Sequence, residues 1–219
     1  MARLSNPRRF GVLGSGEVGQ TLAKGLAANG YEVRIGTRSP GKLAKFAKST
    51  GIQEGSFQQV AAWSDAAVLA VLGKAALQAV ELAGPANLAG KLVIDTTNPI
   101  SDEEPVDGVI RYFTGPNESL MERLQSAYPE IAFVKAFNSV GSALMVHPML
   151  SGGPPTMFYC GNDPQAKGVV AQLLEHLGWE GADMGSAVAA RAVEPLAQLW
   201  CIPGFRENEW MHAFRLLRV

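Results

Sequence analysis

Three glycines carry the first chemical signal in the chain. Gly14, Gly16 and Gly19, in "GSGEVG", keep the spacing G-x-G-x-x-G. At that spacing the first glycine permits a tight turn, the second lets the backbone approach a pyrophosphate and the third lets a helix pack closely on a strand. The context agrees: "RFGVLG" (9–14) is a short apolar run ending in glycine, and Val18, Leu22, Leu26 and Ala27 then recur at helical spacing until Asn29-Gly30. Strand, turn and helix open a βαβ unit that closes at Gly36. A dinucleotide is the expected ligand.

A site for NAD places an Asp or Glu about 20 residues beyond such a loop, at the end of the second strand, where it accepts the ribose hydroxyls. Here that place is Thr37, and the only nearby carboxylate in this reading, Glu32, lies at the wrong end of the strand. Thr37, Arg38, Ser39 and Lys42 offer hydroxyls and positive charge instead, which suit a 2′-phosphate. NADP(H) is therefore the expected cofactor. Lys45 and Lys48 continue the basic run but read as the solvated face of a helix.

Groups that could move a proton are scarce. None of Tyr31, Tyr112, Tyr128 and Tyr159 has a lysine four residues on, so the tyrosine–lysine arrangement of carbonyl-reducing short-chain enzymes is absent. His176 falls off the apolar stripe of Val169, Val170, Leu173, Leu174 and Leu177 and reads as a surface residue. His147 lies beyond the sixth strand, within possible reach of a cleft, and His212 reads as solvent-facing or interfacial. The three show no metal-ligand spacing. Asn98 and Asn138 each end an apolar strand with a short amide able to bond a ribose or a carboxamide. Asp95 could face the nicotinamide, but a cap on the turn after it is the plainer reading. Cys160 and Cys201 read as inert packing residues. Hydride transfer between two rings asks for little beyond holding the reacting atoms about 3–3.5 Å apart, which such a set of residues can satisfy.

Hydrophobic periodicity supplies the frame for these residues. "YEVRIG" (31–36) alternates as a strand, "DAAVLAVLG" (65–73) and "GKLVIDTTNP" (90–99) read as buried strands, and "IAFVKAFN" (131–138) as another. Helical patterns fall between them, at "PGKLAKFAKS", "KAALQAVELAG" and "SLMERLQSAY". Continuously apolar strands separated by helices imply a parallel sheet of about six strands covered on both faces, the Rossmann-type doubly wound α/β class. Residues 101–117 form a polar loop long enough to be a functional flap. From residue 150 the pattern changes: "PTMFYCGN" and "WEGADMG" read as strands, and between them lies an amphipathic helix begun by Asp163-Pro164. Pro195 and Pro203 should bend or break the last helix. The expected division is a dinucleotide-binding domain at 1–149 and a small C-terminal α/β lobe at 150–219.

The totals narrow the class of function. Nineteen basic against twenty acidic residues leave a net charge of −1, which supplies no field for nucleic acid or an anionic membrane. A hydrophobic content of 47% suits a buried core. No run approaches the ~20 apolar residues of a membrane span. The basic start "MARLSNPRRF" precedes a stretch too short and glycine-rich for a signal peptide. Two distant cysteines form no disulfide framework or zinc site. The expectation is a cytoplasmic enzyme of small molecules. Trp200, Phe205, Trp210 and Phe214 could wall a flavin pocket, line a homodimer seam or pack on the protein's own core; the seam is the expected role, since large apolar patches are rare on monomers.

The blocks "GVLGSGEVGQTLAKGLAANGYEVRIGTRSP", "VIDTTNP", "VKAFNSVGSALM", "YCGNDPQAKGVVAQLLEHLGW" and "DMGSAVAARAVEPLAQLW" resemble, in order, the NADPH-dependent reductases of the deazaflavin coenzyme F-420. They are similar also to the cytoplasmic reductase domain of the STEAP metalloreductases. The resemblance implies a two-lobed, usually dimeric protein that moves hydride between NADP(H) and a deazaflavin or flavin held between the lobes. By position it implies that Ser15, Gly16, Glu17 and Val18 line the pyrophosphate and that Thr37, Arg38, Ser39 and Lys42 hold the 2′-phosphate. It places Leu72 and Gly73, Asn98 and Pro99, and Ala136, Phe137 and Asn138 at the ends of successive strands, where open α/β sheets bind ligands. The last residues, "CIPGFRENEWMHAFRLLRV", match no part of the pattern. Two other readings stay open: an NADP-dependent hydroxyacid or imine dehydrogenase, and a module that binds NADP(H) without turnover.

Overall fold

A computed structural model describes residues 7–219. Eight strands form one sheet in the order β3-β2-β1-β4-β5-β6-β7-β8. They are β1 (Arg9–Leu13), β2 (Glu32–Gly36), β3 (Gln53–Gly55), β4 (Ala66–Leu69), β5 (Leu92–Asp95), β6 (Ala132–Lys135), β7 (Thr156–Gly161) and β8 (Glu180–Asp183). The helices are α1 (Glu17–Ala28), α2 (Ala44–Thr50), α3 (Phe57–Trp63), α4 (Ala76–Ala83), α5 (Pro85–Leu88), α6 (Leu120–Ala127), α7 (Pro164–His176), α8 (Ala190–Val193) and α9 (Leu196–Glu207). Every neighbouring pair of strands is parallel except β6 and β7.

The apolar strands build this arrangement because successive side chains point to opposite faces. Val12, Ile94 and Val134 enter one layer with Leu22 and Leu26 of α1 and Leu173 of α7. Their chain neighbours Leu13, Val93 and Phe133 enter the other, with Val60 of α3, Val80 of α4 and Leu124 of α6. Both faces are thus covered, as the doubly wound class requires.

Four details depart from the sequence reading. The sheet has eight strands because β7 and β8 continue it and because β3, only "QEG", adds an edge that its sequence hides. Helix α3, also unassigned, begins at a capping box in which Ser56 and Gln59 exchange side-chain and backbone bonds. Strand β4 ends at Leu69, not Gly73: Ala70 N still donates to Leu13 O at 2.9 Å, and the chain then turns into a 3-10 segment at Gly73–Ala75. The chain breaks helix at Pro195, yet α9 continues through Pro203.

The last strands stand above the rest of the sheet. Strand β7 overlaps β6 through just Val134↔Gly161 and Lys135↔Cys160, so Thr156–Tyr159 run past the carboxyl end of β6, and β8 is registered on them. The loop 101–117 is braced by the bridges Ile100↔Tyr112 and Val106↔Val109, and Gln198 of α9 donates to Ile110 O at 2.9 Å. It is docked rather than free.

The terminal aromatics pack in part against one another. Trp200 is buried within its own chain, its indole N–H donates to His212 O at 2.9 Å, and His212 stacks on it at 5.1 Å. Trp210 lies 5.5 Å from Trp200, and Phe214 O accepts from Thr156 N at 2.8 Å. These residues form a local core that ties the tail across β7, while Phe205 stays half exposed. Replacing Trp200 with Ala should cost about 3–5 kcal/mol, read as a fall in Tm, and should release residues 208–219 to proteolysis. An unchanged Tm and an uncut tail would contradict this packing.

Candidate active site

The carboxyl ends of β1, β2, β4 and β5 border a cleft of about 410 Å³. Gly14, Ser15, Gly16, Glu17 and Val18 form one wall, Thr37, Arg38, Ser39 and Lys42 one end, and Ala70, Val71, Leu72 and Thr96 the other. Gly14 has φ 143°, and a Cβ there would stand 1.9 Å from Ala70 O; a Cβ at Gly19 would stand 2.2 Å from Gly14 O. Glycine is required at both places by backbone contact, and Gly19 acts by packing rather than by lining the cleft. Gly16 caps α1 without any side-chain cap. The first N–H groups of the helix therefore have no intrahelical acceptor, which makes this wall suited to a diphosphate. Glu17, exposed beside it, accepts a bond of 2.8 Å from Ser142 Oγ.

At the β2 end, Thr37 is buried and its hydroxyl serves the turn, accepting from Ser39 N at 3.1 Å and donating to Ser39 O at 3.3 Å. Arg38, Ser39 and Lys42 are exposed, and neither Arg38 nor Lys42 forms an ion pair among the described residues. One carboxylate escaped the sequence reading. The pairing Gly36↔Gly55 brings Glu54 of β3 beside this loop, where it accepts from Gly41 N at 2.6 Å and Leu43 N at 2.9 Å. It fixes the backbone on either side of Lys42. A second groove of about 550 Å³ shares Thr37, Arg38, Phe57 and Leu82 with the cleft, so the site continues around this corner. Diphosphate wall, cationic corner and groove fit a phosphorylated dinucleotide.

The segments after β4, β5 and β6 hold the remaining expected residues, but mostly below the surface. Asn98 Nδ2 donates to Asn138 O at 2.7 Å, and Asn138 Nδ2 donates to Asn98 Oδ1 at 3.1 Å and to Val193 O at 3.0 Å. The two amides brace one another, leaving Asn138 Oδ1 as a buried acceptor without a hydrogen-bond partner among the described residues. Ala136 and Phe137 are buried in the core at 0% and 1% exposure, so their side chains do not form the cleft wall. Pro99 is buried and its carbonyl accepts from Phe113 N. Gly73 is buried against Asn98, where a Cβ would stand 1.9 Å from Asn98 O. Of this group Leu72, 70% exposed, is at the cleft.

Beneath these ends lies a charge cluster that no local pattern announced. Lys135 Nζ, wholly buried, stands 2.6 Å from Asp95 Oδ2 and 3.0 Å from Glu194 Oε1, and donates to Thr97 O at 2.6 Å. Asp95 Oδ1 accepts from Thr97 N and Thr97 Oγ1, as its expected capping role requires. Glu194 accepts from Leu120 N and Met121 N at the start of α6, each at 3.0 Å. Tyr112 Oη donates to Glu194 O at 2.7 Å. Burial opposes the charge on Lys135, but Asp95 and Glu194 overcome it and raise its pKa above the usual lysine value.

Both thiols and the Tyr112 phenol are held in their protonated forms. Burial pushes the Cys160 thiol up to about 12 and the Cys201 thiol up to about 11. Burial and then the neighbouring Glu194 raise Tyr112 well above the phenol range. His147 and His176 are exposed and line no part of the cleft. Residues that the sequence reading missed in the cleft include Phe57, Ala75, Gln78 and Thr96. The Ser56-x-x-Gln59 box was the available signal for Phe57.

Fold and site define an NADP-dependent oxidoreductase of the Rossmann type. The model of the family "NADP oxidoreductase coenzyme F-420-dependent" matches residues 9–99. A crystal structure from Arthrobacter sp. FB24, provisionally assigned as an F-420-dependent NADP-reductase, is 32% identical, covers 97% of this chain and 100% of that one, and superposes with a TM-score of 0.89. The chain belongs to this family. Metalloreductase STEAP3 of Rattus norvegicus is 32% identical over 201 residues, which are 89% of this chain and 38% of the relative. The chain therefore spans little more than a third of that curated relative. An imine reductase from Myxococcus stipitatus in complex with NADP+ is 19% identical, with a TM-score of 0.65 over 89% of this chain and 61% of that one, a likeness of fold alone. Among the described residues no helix is long and apolar enough to cross a membrane.

Replacing Lys135 with Met strands two buried carboxylates and should cost about 3–5 kcal/mol of stability, whereas the exposed Arg38→Ala should stay within about 0.5 kcal/mol of the parent. Denaturant unfolding distinguishes the two. Because the folded pKa of Lys135 is raised, its contribution is complete below the unfolded value near 10.5 and is lost as pH rises through the folded value. Unfolding curves of the parent should therefore weaken at alkaline pH by a component that the Met variant lacks.

Proposed function

We propose that the protein transfers a hydride between NADP(H) and a deazaflavin or flavin, with coenzyme F-420 as the acceptor class that its family favours. The carrying observation is the corner of Arg38, Ser39 and Lys42, where the cations have no ion-pair partner among the described residues and the nearby Glu54 carboxylate is engaged by backbone N–H groups. In this reading Gly14–Val18 hold the diphosphate, Arg38, Ser39 and Lys42 grip the 2′-phosphate, and Thr37 shapes their turn. Asn98 and Asn138 stiffen the nicotinamide end, and Leu72 covers it. The bound cofactor supplies the hydride; the chain orients the ring and excludes water.

Residues 150–219 complete the acceptor side in this reading, and two copies associate through exposed apolar residues on and after α9, including Leu199, Phe205 and Met211. A cytoplasmic setting suits such soluble substrates. The activities of the much longer metalloreductases are not needed by any residue of this cleft. The cleft lining includes no cysteine or tyrosine among the described residues, which supports ring-to-ring transfer over alcohol oxidation.

Purified protein should deplete NADPH absorbance when F-420, FMN or FAD is supplied and not in their absence; no turnover across this acceptor panel would reject the assignment. Arg38→Ala should weaken NADPH binding by about ten- to a hundredfold while leaving NADH nearly unchanged, the effect of one charge-assisted bond. Light scattering should report a dimer.

A further inference from the structure

The buried cluster holds an uneven number of charges. Lys135 Nζ donates to Thr97 O and forms ion pairs with Asp95 Oδ2 and Glu194 Oε1. Glu194 receives Lys135 and the N–H groups of Leu120 and Met121, all donors, so its carboxylate is bonded as an anion. Asp95 Oδ1 accepts from Thr97 N and Thr97 Oγ1, while its Oδ2 meets Lys135 Nζ as an ion pair at 2.6 Å. One ammonium against two carboxylates leaves one negative charge in excess, in a region where Lys135 and Asp95 are 0% exposed and Glu194 1%. The start of α6 offsets part of it. Arg123, which also senses Glu194, is taken up by both oxygens of Glu118 nearer the surface.

The position of this charge matters as much as its sign. Thr96, which lines the cleft, lies in the chain between Asp95 and Thr97, both members of the cluster. With adenosine at Arg38 and diphosphate at Gly14–Val18, the far end of the cleft, at Leu72 and Thr96, is left for the nicotinamide. When a dihydronicotinamide gives up a hydride with both bonding electrons, the acceptor ring gains them and the nicotinamide ring becomes a cation. A fixed negative charge behind that end, little screened by salt, favours the cationic form over the neutral one.

We propose that the Lys135–Asp95–Glu194 cluster, through its excess negative charge, selectively stabilises oxidised NADP+ in the cleft and so strengthens bound NADPH as a hydride donor. This rests on the reading of the cleft as an NADP(H) site. The residues touch no reacting atom; they act through the field at the end of β5.

The test is the ratio of NADP+ to NADPH dissociation constants, measured by calorimetry or fluorescence on full-length protein whose fold is checked by circular dichroism. E194Q and D95N each neutralise the excess and should weaken NADP+ relative to NADPH by about five- to tenfold. The double variant K135M/E194Q disturbs the packing more but leaves Asp95 as one negative charge, and should keep the parent ratio. A parental ratio in folded E194Q or D95N overturns the proposal, as does a double variant that loses NADP+ preference as fully as E194Q. Parent protein that binds neither form removes the NADP(H) reading itself, a result distinct from binding with an unmoved ratio.

Discussion

An ammonium ion sealed from water must be matched group for group, and the Lys135 side chain imposes that requirement on three parts of the chain. Asp95 and Thr97 come from the end of β5, Glu194 from the end of α8, and through Glu194 the first N–H groups of α6 are recruited as well. The cost of desolvating these charges is large, and removing any one member leaves another without compensation. The ends of β5 and β6 are thereby held in a single arrangement. Asn98, Asn138 and the docked loop at Tyr112 attach to the same node through Val193 and Glu194.

That rigidity contrasts with the opposite end of the cleft. Arg38 and Lys42 are exposed side chains on a turn whose backbone is fixed by Glu54 and by the Thr37 hydroxyl. The backbone is ordered in advance while the cations remain free to meet a ligand, which limits the ordering entropy that binding must overcome. One end of the site therefore selects by charge and the other by shape. Hydride transfer between rings needs this combination, because alignment contributes more to it than any acid or base.

Much of the cleft was legible because its determinants are local. The glycine spacing, the strand before it, the missing acid at position 37 and the cap at Asp163 each lie within a few residues of the feature they specify. The hidden parts depend on contacts distant in the chain. Glu54 reaches the Arg38 loop only because β3 pairs with β2, and "QEG" is too short to declare itself a strand. Lys135 sits in an otherwise apolar strand, and nothing near it in sequence names Glu194 as its partner. The terminal tryptophans and His212 show their apolar character in the sequence, but not that they pack against one another. Asn98 and Asn138 announce themselves as polar strand ends, but their bonding to one another depends on β5 and β6 being neighbours.

The most direct test of the whole account is a crystal structure of the protein with NADP+. The account requires the 2′-phosphate to lie within hydrogen-bond distance of the Arg38 guanidinium, with the diphosphate on the N–H groups that open α1 and the nicotinamide near Thr96. A dinucleotide seated elsewhere, or one whose 2′-phosphate points into solvent away from Arg38, would contradict it.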